Sequence, residues 1–347
     1  MTAAGKIRLG VIGLGRLWEA RHKPALARLQ DRFEVTAVYD QVARRAEIEA
    51  RQLGCRALDG LSELVHSPDV DAVLWLAPQW FAAYPVELAA RAGKPIYGGV
   101  PLPEDLGELD RLDALIRTSA VAFMPEFAPR FYLATIRLRQ IIDTTRGQII
   151  RVQGVLDPST FAATPANPTA RGTAGSISSE TTQALVDWSR YVTGTEVMSV
   201  AAGPVADQDD PPASSFDSDA SLTSEASFSA RPVPPEGDIE PSRPRPVIEV
   251  TDGRRTAWLE WPNLIRWSDG TDVHEEQLTD KLLIGEVLLD QFYRLVRGSD
   301  HSAPTWDDAL AAARAVVALR ASVSRGGGRV HLEFRPPRVD SAASGDR

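Results

Sequence analysis

Near the N-terminus an apolar run, residues 6–13 (Lys-Ile-Arg-Leu-Gly-Val-Ile-Gly), breaks into Gly13-Leu14-Gly15 and then into a helical pattern. A chain makes that transition when a buried strand ends, the backbone turns tightly through glycine, and a helix starts over the strand it has just left. The helical pattern runs from Trp18 to about Leu29, with Ala25, Leu26 and Leu29 on its apolar side. A second strand, Val35–Asp40, ends in an acid. The same alternation continues through a helix over Val42–Leu53 stopped by Gly54, a strand Ala72–Leu76 and a helix Pro85–Ala92 ended by Gly93. It closes with a strand Pro95–Tyr97 and a helix Leu106–Arg117. Short apolar strands separated by helices predict an α/β fold with a doubly wound parallel sheet, ending near Phe123–Phe127.

The pattern then changes. Ile149–Leu156, Glu196–Ala202, Ala220–Ala230, Val247–Val250 and Ala257–Trp261 read as strands, mostly without helices between them. In Ala220–Ala230 the residues Leu222, Ala226 and Phe228 share one face, the period of two of a half-covered sheet. A C-terminal α+β domain with an open, mostly antiparallel sheet is expected. Residues 203–219 and 231–246 are rich in Pro, Asp and Ser and read as exposed loops. Two helices follow, Leu282–Val296 and one starting near Thr305, where Asp307 and Asp308 suit the positive end of the helix dipole. The expected division is residues 1–125, residues 126–335 and a flexible tail, 336–347, with the last helices able to pack back on the first domain.

Charge and composition exclude several classes. A formal charge of −9 argues against nucleic acid or an anionic membrane as partner. No apolar stretch is long enough for a membrane span, and the start lacks the features of a secretory signal, so a cytoplasmic protein is expected. Cys55 is the single cysteine, which excludes an intrachain disulfide framework. His22, His66, His274, His301 and His331 have no ligand spacing, so no metal is expected.

The glycine loop carries the first chemistry. Gly13 permits the tight turn, and Gly15 lets the backbone approach a pyrophosphate at the helix N-terminus, with the amides of Leu14, Arg16 and Leu17 around it. Trp18 stands where a third glycine normally allows close helix–strand packing. Asp40 sits where an acid accepts hydrogen bonds from a ribose 2′-hydroxyl, which favours NAD over NADP. Arg44 and Arg45 follow and are able to reach a 2′-phosphate; the alternative is a solvated helix start.

With these features on the page, the chain resembles the glucose–fructose oxidoreductase / inositol dehydrogenase (Gfo/Idh/MocA) family. Ser67-Pro68-Asp69-Val70-Asp71-Ala72-Val73 resembles the family's strand entry, Ala77-Pro78-Gln79 its T-P-N, and Ala92-Gly93-Lys94 its A-G-K. Arg130-Phe131 resembles the R-F that opens its second domain. The resemblance implies a Rossmann domain, an open mixed sheet, NAD or NADP, and oxidation or reduction of sugars, inositols or related polyols. It places Ala77, Pro78, Gln79, Gly99 and Pro101 beside the cofactor, and Arg130 and Gln183 beside a small-molecule substrate. It also implies a homodimer or homotetramer formed through the C-terminal sheet.

Two departures stand out. The family's E-K-P is Gly99-Val100-Pro101 here, so valine replaces the lysine that usually exchanges the proton. Its D-x-G-x-H-x-x-D corresponds to residues 180–187, where Glu180 and Asp187 keep the acids and Ala184 replaces the histidine. On a helix Glu180, Gln183, Asp187 and Arg190 share one face, which lines a pocket or simply meets solvent. Glu180, Asp187 and Tyr97 are the candidate catalytic groups, with Glu126 and Arg130 in reserve. Trp18 and Trp80 are expected beside the cofactor, Trp75 in the core, and Trp258, Trp261 and Trp267 at an oligomer face. The functional readings are an NAD(P)-dependent oxidoreductase with an atypical site or a catalytically impaired dinucleotide-binding sensor or partner subunit. A third is a lyase or hydrolase using NAD transiently.

Overall fold

The structure is a computed structural model describing residues 5–77, 81–142, 151–156, 179–194, 196–197, 199–200, 202–204, 225–230, 247–251, 255–279, 283–325 and 330–332. Its first sheet contains β1 (Ile7–Ile12), β2 (Phe33–Tyr39), β3 (Arg56–Ala57), β4 (Ala72–Trp75), β5 (Ile96–Gly98) and β6 (Phe123–Met124). The order is β3-β2-β1-β4-β5-β6 and every pairing is parallel. Such strands are covered on both faces, which is why Leu9, Val11, Ile12, Val73 and Leu74 lose all contact with solvent. The order reverses between β1 and β4, and ligands of open α/β sheets bind at that crevice, beyond the strands' carboxyl ends.

The helix after β1 is irregular. A π-helical turn, Trp18–His22, leads into α1 (Lys23–Arg28), with Pro24 in the first turn of α1 where its missing N–H costs little. Next come α2 (Ala43–Leu53), α3 (Leu61–His66), α4 (Tyr84–Arg91) and α5 (Leu106–Ser119). Gly54 ends α2 in the left-handed conformation (φ 70°). Asp105 caps α5, accepting from the Glu108 amide at 2.8 Å.

After β6 the chain makes a 3₁₀ turn, Ala128–Phe131, then α6 (Leu133–Ile141), β7 (Arg151–Leu156) and α7 (Ser179–Thr193). Strands β8 (Ser199–Val200), β9 (Ala202–Pro204), β10 (Glu225–Ala230), β11 (Val247–Thr251), β12 (Thr256–Glu260), β13 (Leu264–Ser268) and β14 (Val273–Gln277) follow. The chain continues through α8 (Ile284–Val296), α9 (Trp306–Ser324) and β15 (Val330–His331). The second sheet runs β14-β13-β12-β11-β7-β10-β9, antiparallel from β14 to β7 and parallel from β7 to β9. Ile248, Val250, Ala257, Leu259 and Ile265 form its buried face. Trp258, Glu249 and Arg266 are register neighbours on the other face.

Several elements escaped the sequence reading, among them β3, α3, α6, β13, β14 and β15. Strand β14, Val-His-Glu-Glu-Gln, is a polar edge strand without an apolar stripe. Strand β13 is too short to show a period, and α6 has only a modest apolar face. Glu196–Ala202 is not one strand: it divides into β8 and the start of β9, which pair in different sheets. The alternation read at Leu222 lies outside the described residues, as do residues 231–246 and the tail.

Helix α8 joins the first domain's core. Leu288, Leu289 and Phe292 are fully buried with Ala25, Leu26 and Tyr97. Burial of each large apolar side chain is worth about 1.5–3 kcal/mol, so α8 fastens the chain's end to its beginning. Among the described residues no helix is long and apolar enough to cross a membrane.

Candidate active site

At the phosphate loop, Gly13 has φ +93°, and a Cβ there would lie 2.4 Å from the Ala77 Cβ. The turn after β1 and the end of β4 therefore touch only because residue 13 is glycine. A Cβ on Gly15 would meet nothing within 4 Å, leaving the loop open on that side. Helical structure begins at Arg16, so the leading amides have no carbonyl one turn earlier to bond. A pyrophosphate fits this cradle by charge and by space.

Asp40 is buried at the end of β2. Its carboxylate accepts from the Leu14 amide at 2.8 Å, from the Val42 amide at 2.9 Å and from Arg45 at 3.2 Å. It thus holds the glycine loop in place and retains acceptor capacity for a ribose hydroxyl. Arg44 pairs instead with Glu47 at 3.1 Å. Pro78, Gln79 and Trp80 lie outside the described residues.

Trp18 is not beside a ligand. It is 1% exposed in the core with Leu14, Tyr97 and Met124, and the π-helical turn is where the chain accommodates it.

The opposite end, after β5, is filled by packing. Gly99 has φ +63°, and a Cβ there would lie 1.6 Å from the Trp75 indole. Trp75 is fully buried, and its ring occupies the space a side chain at 99 would need. Val100 and Leu102 continue this apolar packing. Gln183 clamps the segment: its Nε2 donates to the Leu102 carbonyl at 3.1 Å and its Oε1 accepts from the Leu102 amide at 3.0 Å. Gln183, expected beside substrate, has this bracing role in the structure.

Arg130, expected beside substrate, and Asp187, expected as a catalytic group, pair with each other. Arg130 Nε donates to Asp187 Oδ2 at 2.8 Å, and its second nitrogen meets the other carboxylate oxygen. Asp308 lies 3.0 Å from both Arg130 and Arg190, and Arg190 also bonds Glu196. Burial pushes the Asp187 carboxyl up to about 6, against the pull of the Arg130 hydrogen bonds and charge. This network ties the 3₁₀ turn, α7 and α9 together.

Tyr97 is fully buried, its ring edge-on to His22 (5.3 Å) and Phe292 (5.5 Å). Its hydroxyl points toward Glu126 without completing a hydrogen bond, and burial raises its pKa well above the ordinary phenol value. Tyr97, expected as a candidate catalytic group, is thus enclosed in the core.

Glu126 proves central. After β6 it accepts from Arg21 in a short ion pair and lies 3.1 Å from His22 Nε2. Burial would raise its carboxyl, but His22 and Arg21 outweigh burial and hold it below the usual range. Tyr132 stands edge-on to Trp261 at 5.8 Å, and Glu180 lies in the first turn of α7. Glu180 alone of the three catalytic candidates keeps solvent access. Its carboxyl is raised by burial against neighbouring protein and by the Glu126 charge, and lowered by Arg21. Sequence reading missed Arg21, His22 and Tyr132; an Arg-His pair one turn beyond the glycine loop was the available signal. Among the described residues no group of three or more His, Cys, Asp or Glu is placed to hold a metal ion.

Residues 7–127 match the family model of the Gfo/Idh/MocA oxidoreductases, described as an NAD-binding Rossmann fold. That match covers the region of the first sheet, about a third of the chain. It is 32% identical over 140 residues to dTDP-3,4-didehydro-2,6-dideoxy-alpha-D-glucose 3-reductase of Actinomadura kijaniata, covering 40% of this chain and 41% of the relative. The chain thus spans about two fifths of that protein's length. Inositol 2-dehydrogenase of Rhizobium meliloti is 29% identical over 202 residues, 56% of this chain and 58% of the relative. Among solved structures, aldose-aldose oxidoreductase from Caulobacter crescentus superposes with TM-score 0.70 at 17% identity, covering 94% of this chain and 100% of that one. The WlbA dehydrogenase from Bordetella pertussis, in complex with NADH and UDP-GlcNAcA, gives 0.70 at 15% identity, covering 95% and 100%. These likenesses show that the shared fold extends over both domains.

Proposed function

We propose that the protein is an NAD-dependent oxidoreductase acting on the hydroxyl or carbonyl group of a sugar-like or other small polar substrate. The observation that carries this reading is the cradle of Gly13, Gly15 and Asp40, with Asp40 bonded to the Leu14 amide at 2.8 Å. The relatives support the substrate class, being a dTDP-sugar reductase and an inositol dehydrogenase. A bound dinucleotide supplies or accepts hydride. The leading amides of the glycine loop hold its pyrophosphate, and Asp40 holds the adenine ribose. Arg45 offsets part of the Asp40 charge, so 2′-phosphate is disfavoured but not barred. The open face of the second sheet, with Trp258 and Arg266, is the surface for a homodimer or homotetramer.

Binding tests the reading before any substrate is known. Fluorescence titration is expected to show saturable NADH binding, weaker NADPH binding, and loss of both preference and affinity in Asp40→Ala. Absence of NADH binding to the folded protein would overturn it. Absorbance at 340 nm across sugars, inositols and nucleotide sugars then searches for turnover.

A further inference from the structure

Asp40 is the side chain that the oxidoreductase reading, on which this inference rests, assigns to the adenine ribose. Its side chain is only 6% exposed. A carboxylate offers two oxygens and about four lone-pair sites. Two of these are taken by backbone amides, Leu14 donating to Oδ2 at 2.8 Å and Val42 to Oδ1 at 2.9 Å. The first bond holds the glycine loop and the second the start of α2, so neither is released without moving the backbone. The other two are taken by a single guanidinium nitrogen: Arg45 Nη1 lies 3.2 Å from Oδ1 and 3.3 Å from Oδ2. The acceptor capacity that Asp40 keeps for a ribose hydroxyl is therefore the capacity that Arg45 uses.

Arg45 differs from the two amides in how it is held. Its backbone is fixed, the amide donating to the Val42 carbonyl at 2.8 Å in the first turn of α2. Its side chain is half exposed and has no other side-chain partner among the described residues. Charge-assisted bonds of full strength run to about 2.7–2.9 Å, and both contacts here are longer. A cation on the solvent side of such a pair is weakly held and leaves at small cost.

We infer that Arg45 is a displaceable counter-ligand of Asp40: it holds the carboxylate lone pairs that a ribose hydroxyl takes, and it leaves the carboxylate when NAD binds. This gives the site a bias of its own in cofactor choice. NAD binding breaks the pair and leaves the guanidinium in solvent. A 2′-phosphate meets the same guanidinium as it swings outward, and the planar fork of an arginine matches phosphate oxygens bidentately. Arg45 thus acts against NAD and toward NADP, in opposition to Asp40. The neighbouring Arg44 carries the same charge but bonds Glu47 at 3.1 Å, and it provides the control.

Calorimetric titration with NADH and with NADPH tests this in the unmodified protein and in Arg45→Ala, Arg44→Ala, Asp40→Ala and the double variant Asp40→Ala with Arg45→Ala. Arg45→Ala is expected to tighten NADH by about two- to fivefold, the range an exposed ion pair allows, and to weaken NADPH. Arg44→Ala removes the same charge and should not tighten NADH. In the Asp40→Ala background Arg45→Ala should no longer tighten NADH, because the pair it would break is already gone. Both arginines are on the surface, so the comparison between them stands even if Asp40→Ala fails to fold. The inference is overturned if Arg45→Ala fails to tighten NADH, if Arg44→Ala tightens it as much, or if NADPH binding ignores Arg45. Absence of NADH binding by both the unmodified protein and Arg45→Ala defeats the oxidoreductase reading and this inference with it, whereas NADH binding that is indifferent to Arg45 defeats this inference alone.

Discussion

Two loops at the carboxyl end of the first sheet, one after β1 and one after β5, have opposite relations between glycine and space. At Gly15 a Cβ would meet nothing within 4 Å, and the loop stays open. At Gly99 a Cβ would lie 1.6 Å from the Trp75 ring, and the space is filled. Dinucleotide recognition needs backbone amides with an open approach, present after β1, and one carboxylate for the ribose, which Asp40 supplies at the end of β2. Proton transfer through a lysine needs a titratable side chain, and the segment after β5 offers Val100 behind a packed indole. More than the side chain at position 100 closes this place, because Trp75 of the neighbouring strand supplies the bulk that fills it.

The largest effect is expected where this packed end is locked. Arg130→Met leaves Asp187 buried without its partner, and removing one member of a buried ion pair costs about 3–5 kcal/mol. Urea unfolding would measure the loss, with NADH affinity of the folded variant nearly unchanged. A loss below about 1 kcal/mol would mean that the pair is surface-like in strength and that this end is looser than its packing implies.

The two glycines give the next contrast. Gly99→Ala should cost about 2–4 kcal/mol, combining overpacking against Trp75 with a left-handed backbone. Gly15→Ala should cost the fold less than about 1 kcal/mol yet weaken NADH at least tenfold. Equal stability losses would erase the distinction between the loops. By the same reasoning Val100→Lys with Ala184→His should fold and bind NADH but show no dehydrogenase turnover, since Trp75 still fills the space beside residue 99.

What the sequence revealed and what it hid divide along the same line. Gly13, Gly15 and Asp40 were legible because one β-loop-α-β unit sets their spacing, and local periodicity fixes such a unit. The parallel sheet and the change of character beyond Phe127 were legible for the same reason. Trp75 against Gly99 was not, because it depends on β4 and β5 lying side by side, with Trp75 opposite Gly98. Nor was Arg130 with Asp187, which are far apart in sequence, or Arg21 with Glu126, which the fold joins from opposite ends of the first domain. An amphipathic pattern showed that Gln183 and Asp187 share a face, but not that the face is occupied by Leu102 and Arg130.

Cofactor choice sharpens the picture of the β1 loop at smaller scale. NAD is expected to bind at least tenfold more tightly than NADP, about 1.4 kcal/mol, because the Asp40 carboxylate opposes a 2′-phosphate. Asp40→Ala should shrink the ratio toward one, while Arg45→Ala should widen it by removing the cation that lies 3.2 Å from Asp40. Calorimetric titration with both cofactors measures each. Tighter NADP binding by the unmodified protein would assign Arg45 to the phosphate.

The smallest effect is a difference in pH dependence, and its sign separates the buried carboxyls Glu126 and Asp187. Glu126 is held below the ordinary 4.5 in the folded protein. Its contribution to stability is therefore fully present above 4.5 and is lost as pH falls through its folded value. Asp187, pushed up from 3.8 to about 6, behaves oppositely: what it contributes is present below 3.8 and is lost as pH rises through about 6. Glu180, also raised, shares the sign of Asp187. Replacing Glu126 by Gln should then open a stability gap that is widest near neutral pH and narrows below 4.5. Replacing Asp187 by Asn should change the slope between pH 4 and 6 instead. Urea midpoints collected from pH 7 to pH 3.5 for the three proteins would resolve the two slopes. A gap for Glu126→Gln that stays constant across this range would mean that Arg21 and His22 do not hold the carboxylate as ionised as their placement requires.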